Sequence, residues 1–592
     1  MENGKSVIKT LIYSIKNTCT IIYRYNKYYI LISGIVLVVQ GIIPTLLIII
    51  MQEIINMLQK GTSQFSDIIC YIICYIILNV ISSFVTAIYS YYNSCFTLGF
   101  NKHISLKILD KALELDLKDY ENSETYNKIN RTQNQNGYTV IAFLTRWLEM
   151  LRELVTIGST LFILIKFRWW IIGLVLIMPI IQCSLSIILD KEWYKIRISR
   201  TTDERKGWYI NFLILTGNAI KEIKLLGIGE FLINKYNTIR SNIIKQDLKM
   251  NKKVTVISMI FEFADWGVTG GILVYIFYQG FLKLIMLGDV NAYIDCIFNI
   301  KNSIKGIFDG TEEITEQSLY ISLLYEFFDL KVQEKKSSYS ISDIHKIELK
   351  NVSYRYENGN YAIKNVNLTI NKGECIALIG KNGAGKTTLV KIILGLYDDY
   401  EGEIFINDIN LRNIDYSTYY KAISCIFQDY VKYEASIREN VAFGDIDKID
   451  DDYVICRMLH ETKLNESIYS QKGIDTVIGN WFGDKQVSTG EWQRIAIARA
   501  LIRDADLYIF DEPDASLDIL RQRELLDTYK SILINKIGIY VSHKINFVHI
   551  ISTHIYVLEE GEIIEQGTHE SLLKKGGAYQ RLYNESKELE IR

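Results

Sequence analysis

The first half of the chain alternates between long apolar stretches and polar segments. A membrane-spanning helix needs about 20 mainly apolar residues, and six stretches reach that length. They lie near residues 28–51, 67–91, 148–166, 169–189, 254–279 and 285–307. The sixth is interrupted by Asp289, Asp295 and Lys301. The pattern predicts a six-span helical domain over residues 1–330. Buried soluble helices are the alternative, which the number and length of the stretches disfavour.

Basic residues indicate the orientation of these helices. The segments 92–146 and 190–253 are rich in lysine and arginine, whereas the opposite connections carry Lys60, Lys166, Arg168 and Lys283. Cations favour the cytoplasmic side of a membrane. Both termini and both long loops are therefore predicted to be cytoplasmic, and the loops are possible docking surfaces for a cytoplasmic domain.

Two acidic residues fall inside the fifth predicted span. Glu262 and Asp265 are three positions apart, which places them on one face of a helix. Ionisable side chains at membrane depth usually face a protein or water-filled interior and mark a transport pathway. They are candidates for substrate contact, and the alternatives are pairing with another helix or a position nearer the membrane interface.

The pattern of apolar and polar residues changes after residue 330. The polar, serine-rich Ser337 to Asp343 lies within a predicted linker over 331–344, and residues 345–592 alternate short apolar runs with glycine turns. The net charge of -2 gives no reason to expect nucleic acid as a partner. The nine cysteines form no CxxC or Cys/His cluster with metal-binding spacing.

A phosphate-binding loop is the strongest chemical signal in the chain. The motif GxxxxGK[ST] follows an apolar run, Cys375 to Ile379, and opens an apolar helix, which is the context it requires. Backbone N–H groups of such a loop and the helix N-terminus bind an anion. Its residues are Gly380, Lys381, Asn382, Gly383, Ala384, Gly385, Lys386, Thr387 and Thr388. Lys386 can reach the β- and γ-phosphates of ATP, and the Thr387 hydroxyl can bind Mg²⁺.

A second apolar run, Leu507 to Phe510, ends in two acids. Asp511 is placed to hold Mg²⁺ through water, and Glu512 to polarise an attacking water. An acid pair at the end of a strand is weak evidence alone, and it gains meaning from the phosphate loop upstream. Together they predict an α/β P-loop NTPase domain.

Val487 to Ala500 resembles the LSGGQ signature of ATP-binding-cassette proteins. Further elements of that family occur in order along the chain. They are Tyr356 for the adenine-stacking A-loop, Gln428 for the Q-loop, Ala515–Asp518 for the D-loop and His543 for the switch histidine. Tyr354 is near enough to compete with Tyr356 for the first role.

The resemblance implies a mechanism in which two nucleotide-binding domains sandwich ATP and Mg²⁺. Each ATP would lie between the phosphate loop of one copy and the signature segment of the other. The signature segment comprises Ser488, Thr489, Gly490 and Glu491. Glu512 would be the catalytic base, with His543 stabilising the γ-phosphate and Gln428 completing the Mg²⁺ ligands. Asp518 belongs to the D-loop at the same interface.

The signature departs from the family pattern. Val487 replaces the leading leucine, Thr489 a small residue and Glu491 the glutamine. Thr489 adds a branched side chain beside phosphate and could slow one site. Hydrolysis is still expected because Lys386, Glu512 and His543 are present. A homodimer is favoured, and a heterodimer with complementary sites is the alternative.

A membrane domain preceding one cassette resembles type I (type IV fold) exporter half-transporters across the whole chain. The loop patterns and Trp481-Phe-Gly-Asp484 are similar to those of bacterial bacteriocin and lantibiotic peptide exporters. The resemblance implies ATP-driven export of a modified peptide across the bacterial cytoplasmic membrane. A lipid or multidrug exporter, and a non-transporting regulatory membrane ATPase, are the alternatives.

Overall fold

The computed structural model of the protein describes most of the chain. The described residues are 2–61, 65–122, 125, 128–129, 137–216, 219–330, 332, 339–356, 359–468, 472–479, 483, 485–513, 519–543, 545 and 548–591. They form two compact units, one of Met1–Glu114 with Ser123–Leu330 and the other of Leu115–Asn122 with Lys331–Arg592. The short segment Leu115–Asn122 therefore packs with the second unit, although the chain on both sides of it belongs to the first.

The first unit is helical throughout its described part. Its helices are α1 (Glu2–Tyr25), α2 (Tyr29–Lys60), α3 (Phe65–Glu114), α5 (Gly137–Phe167), α6 (Trp169–Ser199), α7 (Thr201–Leu215), α8 (Ile220–Leu225), α9 (Gly229–Phe281) and α10 (Leu287–Phe328). The helix between α3 and α5 is α4 (Leu117–Glu121), which belongs to the second unit.

Each of the six predicted spans lies in a separate helix, namely α2, α3, α5, α6, α9 and α10. Within the described residues, three helices are long and apolar enough to cross a membrane by length and composition: α2, α3 and α9. A shorter apolar stretch, Trp169–Gln182, lies in α6. The outer surface of α3 is apolar, with Phe84 and Ile88 about two-thirds exposed, as suits a helix whose surroundings are lipid.

The three charged residues that interrupt the sixth predicted span all have partners. Asp289 Oδ1 accepts hydrogen bonds from Gln52 Nε2 at 2.7 Å and Asn56 Nδ2 at 2.9 Å, both on α2. Asp295 accepts one from the amide of Asn291 at 2.9 Å. Lys301 is paired with Asp265 of α9. A charge removed from water is tolerated when it is paired and hydrogen-bonded, so these residues are compatible with a packed membrane helix.

The second unit is an α/β domain. Its strands are β1 (Lys346–Arg355), β2 (Tyr361–Asn371), β3 (Cys375–Ile379), β4 (Glu401–Ile406), β5 (Ile409–Asn410), β6 (Ile423–Ile426), β7 (Ala435–Ser436), β8 (Val477–Ile478), β9 (Leu507–Asp511), β10 (Ile537–Val541), β11 (His554–Glu559) and β12 (Glu562–Gly567). Besides α4, its helices are α11 (Lys386–Ile393), α12 (Tyr416–Lys421), α13 (Ile437–Ala442), α14 (Asp452–Glu461), α15 (Thr489–Leu501), α16 (Ile519–Ile532), α17 (Val548–Ile551), α18 (His569–Lys575) and α19 (Ala578–Ile591).

The central sheet has the strand order β12-β11-β3-β10-β9-β6 among the described residues. All neighbouring pairs are parallel except β11 with β12. Every residue of β3, β9 and β10 is buried. Alternate side chains point to opposite faces, so Tyr508 and Phe510 enter one hydrophobic core while Leu507 and Ile509 enter the other. A parallel sheet covered on both faces leaves its strand ends for chemistry.

A buried asparagine joins α13 to α15. Asn440 is fully buried, and its Nδ2 donates to the carbonyls of Tyr433 at 3.0 Å and Ser436 at 3.1 Å. Its Oδ1 accepts from Arg499 Nη2 at 2.9 Å, and Arg499 Nε donates to its backbone carbonyl at 2.8 Å. This single side chain therefore satisfies polar groups from two helices and a loop.

Replacing Asn440 with leucine keeps the branching of the side chain, enlarges it, and removes the side-chain hydrogen bonds to Tyr433, Ser436 and Arg499. The cost of leaving buried polar groups unpaired, about 2–3 kcal/mol, predicts a fall of roughly 5–10 °C in the thermal unfolding midpoint of the detergent-purified protein. Arg457→Gln is the control, because it breaks an exposed pair with Glu461 whose contribution is small. Equal shifts for the two variants would contradict this account.

Candidate functional site

The predicted nucleotide residues follow the carboxyl ends of neighbouring parallel strands. Gly380 follows β3, Gln428 lies two residues after β6, Glu512 follows β9 and His543 lies two residues after β10. The strands end in register, with Val541 opposite Asp511 and Ile426 opposite Phe510. Ligands of open α/β sheets bind at this edge, and here the sheet brings together residues more than 160 positions apart in sequence.

The phosphate loop requires glycine at its close approaches. Gly385 has φ 101°, and a Cβ there would lie 2.4 Å from the carbonyl oxygen of Ala362. A Cβ on Gly380 would lie 2.3 Å from the carbonyl oxygen of Leu558. The backbone therefore curls tightly around the start of α11, where unpaired N–H groups and the helix dipole favour an anion.

Lys386 lies across this loop and is 6% exposed. Its Nζ donates to the carbonyl oxygens of Gly380 at 2.8 Å and Lys381 at 3.2 Å. Burial lowers the pKa of Lys386, and the nearby Glu512 and Asp511 oppose that shift. An ammonium group has three donors, so these two bonds leave capacity for a phosphate oxygen.

Asp511 is the most confined acid of the site. It is 1% exposed, and its Oδ1 has no hydrogen-bond partner among the described residues. Burial raises the pKa of Asp511 to about 6, a rise that a hydrogen bond with the Thr387 side chain opposes and the charge of Glu512 reinforces. A buried carboxylate oxygen beside a hydroxyl is the donor set that Mg²⁺ prefers. The residues present therefore fit a Mg²⁺ ion.

Glu512 makes contact with two other predicted residues. Its Oε2 accepts a hydrogen bond from Gln428 Nε2 at 2.7 Å and lies 3.5 Å from His543 Nδ1. Its backbone is in the left-handed region, with φ 48°, although that region is unfavourable for residues other than glycine. Such strain clusters at functional sites, and here it occurs at the residue predicted to be the catalytic base.

The two tyrosines that compete for the adenine-stacking role differ in exposure. Tyr354 is 6% exposed, and its ring stacks on Tyr397 with centroids 4.8 Å apart and planes 7° apart. Tyr356 is 39% exposed, and its hydroxyl lies 2.8 Å from Thr388 Oγ1 of the phosphate loop. Tyr356 alone of the pair presents a ring that a nucleotide base can cover.

The signature segment forms the N-terminus of α15. Ser488 caps the helix, and Glu491 Oε2 accepts from the Ser488 amide at 2.8 Å and its hydroxyl at 2.8 Å. The sequence analysis missed this capping box, which the spacing S-x-x-E indicates. The glutamate that replaces the usual glutamine therefore has a local structural role.

The structure does not join the signature segment to the phosphate loop. Ser488 and Thr489 are exposed. Among the described residues, no hydrogen bond links residues 488–491 to residues 380–388. The predicted D-loop, Ala515–Asp518 including Asp518, and Trp481, Phe482 and Asp484 lie outside the described residues.

The two acids predicted for the substrate pathway differ in their exposure and their contacts. Glu262 is exposed on α9. Asp265 is paired with Lys301 of α10, whose Nζ also contacts Thr269 Oγ1. Asp265 thus realises the pairing with another helix that was one alternative to substrate contact.

Comparison with known proteins agrees with this geometry. The ABC transporter family matches residues 363–515. The chain is 34% identical to the subtilin transport ATP-binding protein SpaT of Bacillus subtilis over 562 residues, covering 92% of this chain and 89% of SpaT. It is 30% identical to the nisin transport ATP-binding protein NisT of Lactococcus lactis subsp. lactis over 592 residues, covering 98% and 97%.

A solved structure has the same fold over nearly the full length. It is a bacterial Atm1-family ABC exporter with ATP bound, with a TM-score of 0.79 and 15% identity, and the match covers 94% of this chain and 99% of that one. The family match, the two full-length relatives and the shared exporter fold point the same way. The chain belongs to the ATP-binding-cassette transporters and is a membrane exporter that couples ATP hydrolysis to transport.

Proposed function

We propose that the sheet edge of the second unit binds and hydrolyses Mg·ATP. The observation that carries this proposal is the position of Glu512, within reach of Gln428 and His543 and next to a buried acid with one oxygen that has no partner in the described part of the chain. Lys386 and the loop amides would hold the β- and γ-phosphates, and Tyr356 would stack on the adenine. Gly383 and Ala384 belong to the same loop; the Gly383 amide would add a donor, whereas the Ala384 amide donates to the Lys381 carbonyl at 3.1 Å.

Thr387, Asp511 and Gln428 would hold Mg²⁺. The bound ion would neutralise charge on the triphosphate, the contribution that metals make in phosphoryl transfer. Gln428 donates to Glu512 through its amide nitrogen, so its amide oxygen does not face that carboxylate. Gln428 would therefore contact the metal through its oxygen and the Glu512 carboxylate through its nitrogen.

Glu512 would polarise the attacking water, and His543 would stabilise the γ-phosphate. In this class of reaction most catalysis comes from positioning and charge stabilisation. The hydrogen bond from Gln428 helps to position the Glu512 carboxylate. The left-handed backbone of Glu512 fixes the direction from which the carboxylate approaches.

Glu512→Gln tests the role of the base. The amide is nearly isosteric but cannot accept a proton, so we expect ATP turnover to fall by about 10²- to 10⁴-fold while ATP binding is kept. Turnover and nucleotide binding are measured on protein reconstituted in lipid. Lys386→Ala is the companion variant, and it should weaken binding itself. Retained turnover in Glu512→Gln would exclude this carboxylate as the base.

The exposed signature segment supports a second proposal, that two copies form the active transporter. Ser488, Thr489, Gly490 and Glu491 make no hydrogen bond with their own phosphate loop among the described residues, and they lie at a helix N-terminus, which favours an anion. They would contact ATP bound to the other copy. A homodimer is favoured because Lys386, Glu512 and His543 are all present in this chain, and a heterodimer with a related chain is the alternative.

The proposed cargo is a modified peptide of the bacteriocin type, exported across the cytoplasmic membrane of a bacterium. The proposal is supported by full-length similarity to proteins named for subtilin and nisin transport. The proposed orientation, with both termini and the nucleotide-binding unit in the cytoplasm, follows the basic residues of the long loops. Glu262, exposed on α9, is the candidate contact for a cationic peptide.

Peptide export by proteoliposomes tests both the proposed peptide cargo and the proposed contact at Glu262. Glu262→Ala should reduce export of a cationic bacteriocin precursor severalfold, because an opposite charge in the pathway is lost, while basal ATPase is unchanged. Asp265→Ala should reduce export together with thermal stability, because Lys301 loses its partner.

Glu53→Ala, at an exposed acid of α2, is the matched control and should leave export unchanged. If lipids or drugs stimulate the ATPase and peptide does not, the proposed peptide cargo is wrong. Turnover without transport of any of them would favour a regulatory ATPase.

A further inference from the structure

The short helix α4 is attached to the nucleotide-binding unit through defined polar contacts. Its segment, Leu115–Asn122, packs with the second unit and follows directly on α3 in the chain. A capping box between Asp116 and Asp119 begins the helix. Lys118 Nζ lies 3.4 Å from Asp398 Oδ1. This segment is therefore a covalent extension of a membrane helix that is held on the ATP-binding unit.

The last residue of α4 provides a second and closer attachment. Glu121 Oε2 accepts from the Tyr397 hydroxyl at 2.7 Å, and Oε1 accepts from Lys391 Nζ at 3.0 Å. Tyr397 is 1% exposed. Burial first, and then the hydrogen bond to Glu121, raise the pKa of Tyr397, so the hydroxyl remains a donor. Hydrogen bonds to a charged acceptor are about twice as strong as neutral ones.

Tyr397 begins an aromatic series that ends at the nucleotide site. Its ring stacks on Tyr354 at 4.8 Å, and Tyr354 meets Tyr356 edge to face at 5.5 Å and 85°. The Tyr356 hydroxyl lies 2.8 Å from Thr388 Oγ1. Aromatic pairs in these geometries contribute beyond their buried area. The series therefore runs without a gap from Glu121 to the exposed ring proposed to stack on adenine.

The same carboxylate also contacts the helix that carries the phosphate loop. Lys391 lies on α11, which begins at Lys386, and its Nζ is 3.3 Å from the Tyr397 hydroxyl. Ordinary core packing would explain the stacked rings alone. It does not require a carboxylate from α4 to close a ring of hydrogen bonds with a buried tyrosine and a lysine of the phosphate-loop helix.

We propose that Glu121 and Tyr397 are positioning residues that hold Tyr356 in place for the nucleotide base, so that the segment joined to α3 adjusts affinity for ATP. This inference rests on the proposed role of Tyr356. It predicts that changes at Glu121 or Tyr397 weaken recognition of the base and leave recognition of the phosphates unchanged, because the aromatic series ends at the ring of Tyr356.

The test compares Glu121→Gln and Tyr397→Phe in the full-length protein reconstituted in lipid. Each should raise KM for ATP about three- to tenfold, the size expected when a packed network is interrupted, with kcat unchanged. Inorganic triphosphate, which lacks a base, should inhibit the ATPase with an unchanged inhibition constant. The double variant should behave as either single one, because both act on one contact: Glu121→Gln removes the charge of the acceptor and Tyr397→Phe removes the donor.

Lys118→Gln is the control for the attachment of α4, since it weakens the pair with Asp398 and leaves Glu121, Tyr397 and Lys391 unchanged; KM for ATP should not change. Tyr356→Ala separates the two proposals. If it weakens ATP binding while Glu121→Gln and Tyr397→Phe do not, the positioning role is wrong and the proposed function stands.

If Tyr356→Ala has no effect, the adenine-stacking role fails and this inference fails with it. Equal weakening of ATP and inorganic triphosphate would also overturn the inference, because the network would then act on the phosphate loop.

Discussion

The confinement of two acids at the end of β9 is the constraint on which the nucleotide site depends. Asp511 is withdrawn from water, and one of its oxygens has no hydrogen-bond partner among the residues that the structure describes; Glu512 lies beside it on a left-handed backbone. A buried carboxylate is costly unless cations or donors compensate it. Lys386 provides part of that compensation, and a metal ion on the triphosphate would provide the rest. The geometry of the sheet edge is thus complementary to a ligand that carries its own cation.

The first unit meets the related problem of charge in an apolar setting by pairing. Asp289 is hydrogen-bonded by two amides of α2, and Lys301 is paired with Asp265 of α9. These contacts also join helices that are far apart in sequence, so the groups that weaken the apolar pattern of α10 contribute specific helix–helix contacts.

Local signals in the sequence predicted much of the site, because the phosphate loop, the acid pair and the signature each occupy a few consecutive residues. The choice between Tyr354 and Tyr356 could not be made from sequence, because it depends on Tyr397 stacking on the former. Hydrophobic periodicity does not predict contacts between residues far apart in sequence. Such contacts include the partners of Asp289 and Lys301 and the packing of Leu115–Asn122 with the second unit. The spacing of Ser488 and Glu491 was sufficient to predict their capping box. The prediction was not made because the same residues were assigned to the family signature.

The central claim is that one catalytic site is built from the phosphate loop of one copy and the signature segment of another. It is tested most directly by ATP turnover of mixed dimers purified through two different tags. One copy carries Lys386→Ala and the other Ser488→Arg, each inactive as a homodimer. In the mixed dimer both defects fall in one site, and the other site is intact. The account predicts turnover well above that of either parent. Turnover no higher than the parents, from dimers shown to contain both chains, would contradict it.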